Sequence, residues 1–82
     1  MSTKKELAKM IEDKKGYVGM YDASIPTETA KLKALQEMKD AGADVSTELA
    51  RVSGMLEYDK ERREIHRTAL ASLEAAWVKL GF

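Results

Sequence analysis

The stretch Leu32–Leu56, LKALQEMKDAGADVSTELARVSGML, decides the fold. Within it Leu32, Leu35, Met38, Gly42, Val45, Leu49, Val52 and Leu56 recur at steps of three and four, the spacing that lines up side chains on one face of an α-helix. A stripe kept up for more than three heptads is close to a coiled-coil seam, and predicts a long helix packed on another helix at a shallow angle. Ser24 or Thr27 can cap its start, with Pro26 tolerated there, and Gly54 ends it or frays its last turn. The expected span is 27–54.

Working outward, DKERREIHRTALASLEAAWVKL (Asp59–Leu80) reads as a further helix over 59–80. Asp59 is placed to cap it, Ile65, Leu70, Leu73, Trp77 and Leu80 recur at helical spacing, and Gly81 can close it. On the other side, Thr3 and Glu6 form a capping box for a short helix over 3–15 with Leu7, Met10 and Ile11 as its apolar face. KGYVGMYDASIP, with two glycines and a proline, reads as a connector over 16–26. Two long helices joined by a few residues run antiparallel, so the expected architecture is one all-α domain over 1–82: an antiparallel helical hairpin with a short N-terminal helix. A hairpin cannot enclose its own apolar seam. Met55, Leu73, Trp77, Val78 and Phe82 would stay exposed, which points to a homo-oligomer.

Composition limits what this domain can be. A chain of 82 residues buries only about 60–65% of its unfolded surface, so extra stabilisation is expected from a disulfide, a metal or a second subunit. With no cysteine, disulfides and thiolate metal sites are excluded, in keeping with a reducing cytoplasm, and one histidine, His66, does not make a zinc site. Neither a signal-peptide apolar region nor a span of roughly 18–20 apolar residues is visible, so no membrane association is expected. Fourteen basic and fourteen acidic residues give zero net charge, which argues against binding a DNA or RNA polymer and leaves a small anionic ligand open. No nucleophile, base and orienting acid fall at motif spacing, so no catalytic residue is assigned, and no cofactor. Glu61 and Glu64 share a helix face, but beside Arg62, Arg63 and Arg67 they read as surface ion-pairing rather than a metal site.

Two segments, LKALQEMKDAGADV and HRTALASLEAAWVK, with the lead-in Lys15-Gly16-Tyr17, resemble the hairpin domain shared by phage anti-CBASS and anti-Thoeris sponge proteins. The resemblance rests on Leu35, Gln36, Glu37, Met38, Lys39, Asp40, Ala41, Gly42 and Ala43, and on Asp59, Ile65, Arg67, Thr68, Leu70, Ser72, Ala76, Val78 and Lys79, and covers roughly residues 14–80. The chain departs from the family pattern after Asp59, where Lys60, Glu61 and Arg62 replace Pro and Trp, and in a longer stretch after Tyr17 carrying an extra tyrosine, Tyr21. The resemblance implies a homohexamer in the host bacterial cytoplasm that binds cyclic oligonucleotide immune signals, such as cyclic GMP-AMP and cyclic triadenylate, without hydrolysis. It implies a cyclic dinucleotide site at Tyr17 and Lys39, with Tyr21 an alternative stacking residue, and a cyclic trinucleotide site at Arg67, Thr68 and Ser72.

The chemistry suits such ligands. A tyrosine face stacks on any base, and a lysine or arginine adds a charge-assisted bond to each phosphate. Each residue also has a plainer role: Lys39 as a solvated helix lysine, Tyr17 as packing, Arg67 paired with Glu64 or Glu74, Thr68 back-bonded within its helix. His66 reads as a polar surface or interface residue, and Met38, Met55 and Trp77 as filler. The rival reading is a small phage or bacterial protein that binds a host protein through the apolar face of its hairpin.

Overall fold

A computed structural model describes residues 2–82. Two helices account for nearly all of it: α1, Thr3–Asp40, and α2, Ser46–Lys79, joined by a five-residue turn. They run antiparallel, since Lys14 near the start of α1 meets His66 late in α2, and Ser24 meets Asp59. The molecule is a rod of 60 × 19 × 14 Å with a radius of gyration of 18.3 Å, against about 12 Å for a compact domain of this length.

One repeat pattern builds the rod. On α1 Leu7, Ile11, Lys14, Val18, Tyr21, Ile25, Glu28, Leu32 and Leu35 follow each other at steps of four and three. Val45, Leu49, Val52, Leu56, Asp59, Arg63, His66, Leu70, Leu73 and Trp77 do the same along α2. Every one of these residues is buried or half-buried, so the two stripes form the seam of an antiparallel coiled coil. The buried cluster Tyr21, Ile25 and Leu56, with Leu32 against it, lies near mid-length, and Val52 is 1% exposed. Full burial of an aliphatic side chain of this kind contributes roughly 1.5–3 kcal/mol.

Both helices end in the same way. Gly42 (φ 97°) donates its N–H to the Lys39 carbonyl, and Ala43 donates to that of Met38. Gly81 (φ 77°) donates to Val78 and Phe82 to Trp77. Each is a Schellman closure, which needs a left-handed residue that glycine supplies without a Cβ clash.

The helix boundaries differ from those the sequence suggests. The chain turns at 41–45, inside the expected long helix 27–54, because steps of three and four continue through the turn and conceal it. The expected connector 16–26 is helical, which merges the short N-terminal helix into α1. Gly16 and Gly19 face outward, where a Cβ would meet nothing within 4 Å, while Val18, Tyr21 and Ile25 hold the seam. Pro26 is exposed and forfeits only the bond to the Asp22 carbonyl. Gly54 lies within α2, also outward, and Asp59 is a mid-helix seam residue rather than a cap. At the start of α1 the cap position is Ser2 rather than Thr3, with no side-chain cap bond.

The two long faces of the rod are unlike. Antiparallel helices turn in opposite senses when viewed from one end, so the residues just before each seam position fall on one side of the hairpin for both helices, and those just after fall on the other. The Asp22–Arg67 pair and the cleft shared by Ala8, Lys15, Glu74 and Val78 lie on the second side. The first side carries Met10, Tyr17, Met20, Met38, Met55, Tyr58 and Ile65, seven of the exposed large apolar residues. Val78, Leu80 and Phe82 are exposed elsewhere, while Leu73 and Trp77, expected in the open patch, are half-buried.

Candidate functional site

Midway along the rod the seam turns polar. Lys14, Glu28, Asp59, Arg63 and His66 occupy positions that apolar side chains fill elsewhere. His66 is 5% exposed and lies flat against Tyr17, ring centroids 4.5 Å apart and planes 10° from parallel, with Tyr21 beyond at 6.0 Å and 16°. The Lys14 ammonium lies 3.4 Å from His66 Nδ1 and 5.8 Å from the Tyr17 ring centroid. A charged lysine only donates, so Nδ1 accepts and the ring proton sits on Nε2. Burial, then the Lys14 and Arg62 charges, hold the His66 pKa below its ordinary value, so the ring is neutral near pH 7.

About two helical turns nearer the chain reversal, Glu28 and Asp59 face each other. Their mutual hydrogen bond, then burial and the Asp59 charge, raise the Glu28 pKa, as two carboxyls sharing one proton do. Ser24 Oγ donates to Asp59 Oδ2 at 3.4 Å. Glu28 Oε2 and Arg62 Nε are buried without a hydrogen-bond partner. On the polar side, Arg63 and Arg67 both reach a single oxygen of Asp22, at 3.3 and 3.1 Å. One carboxylate against two guanidiniums leaves a surplus positive charge, and in this partly exposed setting the pairs add little to stability.

The belt therefore gathers Tyr17, Tyr21 and Arg67 of the residues singled out from sequence. Tyr17 opens on the methionine-rich side and Arg67 on the opposite one. Lys39 is not among them: it lies exposed in the last turn of α1, about 33 Å along the helix from Tyr17. Thr68 and Ser72 are exposed on α2. Arg67 pairs with Asp22 rather than with Glu64 or Glu74. Sequence reading passes over Asp22 and Glu28, takes Lys14 for a solvated lysine and Arg63 for a surface ion-pairing residue, and leaves His66 at the surface or an interface; Lys14, Glu28, Arg63 and His66 are instead seam residues. The signal that finds His66 is the run Leu56, Asp59, Arg63, His66, Leu70, legible once α2 is seen to pass through Gly54.

Two shallow depressions flank the belt. One of about 450 Å³ lies beside Asp13, Gly16, Tyr17 and Met20, and another of about 320 Å³ lies between Ala8, Ile11, Lys15, Glu74, Trp77 and Val78. Among the described residues no group of three or more His, Asp and Glu is placed to hold a metal ion, and no helix is long and apolar enough to cross a membrane. No family model matches the chain, and no curated protein or solved structure is significantly similar to it.

Proposed function

We propose that this hairpin is a non-catalytic binder that sequesters small cyclic oligonucleotides. The observation that carries the reading is the Tyr17–His66 stack, whose tyrosine is 47% exposed, set in a belt that also holds Lys14, Arg63 and Arg67. An aromatic shelf takes a base for about 1–3 kcal/mol, and guanidinium and ammonium groups bind phosphate through charge-assisted bonds. A phosphate would compete with Asp22 for the two arginines. The resemblance to phage sponge proteins supplies the ligand class, with Tyr17 serving a dinucleotide, since Tyr21 is buried in the seam with Ile25 and Leu56, and Arg67 a trinucleotide on the other side of the rod. Because neither depression encloses a ligand of that size, tight capture requires walls from further subunits, as in a homohexamer.

The test is capture and release. Purified protein is mixed with a panel of cyclic di- and trinucleotides, filtered, then heated, and the ligand is analysed by chromatography. Depletion from the filtrate with intact recovery after heating supports the proposal and names the ligand class. Degraded ligand overturns the non-catalytic reading, and no depletion overturns ligand binding. The second reading, a protein that engages a host protein, draws on the seven exposed apolar side chains gathered on one side of the rod. Retention of such a partner by a chain that captures no nucleotide favours it.

A further inference from the structure

Tyr17 has one covered face and one free face. His66 lies against the first, its ring centroid 4.5 Å away and its plane 10° from parallel. The Lys14 ammonium, 3.4 Å from His66 Nδ1, is too near that ring to stand over the opposite face of Tyr17, so it belongs to the covered side as well. The other face of this half-exposed tyrosine opens on the depression of about 450 Å³. Glu12, Asp13, Gly16 and Met20 line the rest of that space, all from α1 and none from α2, as a space turned away from His66 requires.

Helical spacing arranges these residues around the ring. Asp13 stands one turn before Tyr17 on the same face, and a helical side chain leans back over the turn that precedes it, so Asp13 lies at the edge of the ring. Met20 leans back towards the ring from the other end with its adaptable thioether. Gly16 leaves the floor open, where a Cβ would meet nothing within 4 Å. The cations nearby do not neutralise Asp13. Lys14 meets His66, Lys15 lies 3.9 Å from Glu12, and Lys9, one turn before Asp13, forms no ion pair with it. The Asp13 carboxylate is therefore a free acceptor beside an open aromatic face.

A phosphodiester is repelled from a depression edged by two carboxylates, so the part of a cyclic dinucleotide that enters is a base. Stacking on tyrosine does not distinguish one base from another. A carboxylate does, because it only accepts. Guanine turns two donors, N1–H and the exocyclic N2 amine, along one edge, and these match the two oxygens of a carboxylate as parallel charge-assisted bonds. Adenine offers one donor on that edge, its N6 amine, beside an N1 lone pair that faces the carboxylate without a proton. We infer, building on the sequestration proposed above, that this site reads guanine: the base stacks on the free face of Tyr17, and Asp13 accepts from both donors of its Watson–Crick edge. Glu12, drawn towards Lys15, takes no part in the reading.

Filter retention of cyclic di-GMP, cyclic di-IMP and cyclic di-AMP, each alone and in pairwise competition, tests the assignment. The native chain should hold cyclic di-GMP about tenfold more tightly than cyclic di-AMP. Cyclic di-IMP, whose base keeps N1–H and lacks the N2 amine, should fall between them. Asp13→Asn should invert the order, since an amide donates to adenine N1 and accepts from its N6 amine but offers guanine a single acceptor. Asp13→Ala should level the three ligands, and Glu12→Gln should keep the native order. Asp13 is exposed, so circular dichroism should show the same helical signal in every variant. Equal retention of the three ligands by the native chain, or a guanine preference that survives Asp13→Asn, overturns the assignment and leaves sequestration standing. Retention of none of them overturns the assignment together with dinucleotide sequestration itself.

Discussion

Tyr17 of α1 and His66 of α2 stack face to face at 4.5 Å, and so join the two helices beside the polar seam positions Lys14 and Arg63. The contact should be a coupled one. Tyr17→Ala and His66→Ala should each destabilise the hairpin, and in a double-mutant cycle by urea unfolding the pair should show an interaction of about 0.5–1.5 kcal/mol. Strictly additive losses would mean that the rings merely lie near each other.

Acidity should act on this belt from two directions. His66 has a folded pKa below its ordinary 6.5, so as pH falls below 6.5 the unfolded chain takes up the proton first and stability declines. Glu28 has a folded pKa above its ordinary 4.5, so its contribution is greatest at low pH and is lost as pH rises from 4.5 through the raised value. Melting temperature followed between about pH 4 and 8 should lose the first slope in His66→Gln and the second in Glu28→Gln. Unchanged profiles in both variants would remove the belt as the source of pH dependence.

Backbone substitutions should sort by position rather than by residue type. Gly42→Ala should cost about 1 kcal/mol or more, because φ of 97° strains any side chain. Gly54→Ala should stabilise by about 0.5–1 kcal/mol, since the added Cβ meets nothing. Pro26→Ala should stabilise by about 1–3 kcal/mol by restoring a donor to the Asp22 carbonyl. Denaturant midpoints measure all three, and a destabilising Gly54→Ala would contradict the placement of the helix.

Ligand capture should respond to the belt before the turn. Arg67→Ala should reduce trinucleotide retention about 10–100-fold, the range for losing a charge-assisted bond, with assembly unchanged. Lys39→Ala should have a smaller effect on dinucleotide retention than Tyr17→Ala, given its distance along α1. An equal loss from Lys39→Ala would show that a different pairing of chains brings the turn to the tyrosine.

The architecture was readable because Leu32, Leu35, Leu49, Val52 and Leu56 all belong to the true seam. The place where the chain reverses was not, because Met38, Gly42 and Val45 extend the same rhythm across it. Glycine and proline misled in the other direction: Gly16, Gly19, Pro26 and Gly54 cost helix propensity but sit outward, where seam packing outweighs them. Tyr17 and Arg67 could be singled out by residue type. Their neighbours Lys14 and Glu28 could not, because charged residues at seam positions look like surface residues until the opposite helix is in register, and Asp22, exposed beside the seam, is marked only by the two arginines that reach it.

The concealed turn has a consequence for how the chain fails. Since its spacing nearly suits an unbroken helix, a change that removes the left-handed geometry at Gly42 leaves a straight rod of about 115 Å open to the sequence. Two such rods laid antiparallel would remake every contact of the seam between chains instead of within one. Gly42 is then what keeps a folded hairpin from exchanging its halves with a neighbour, and the hinge at which domain swapping would begin.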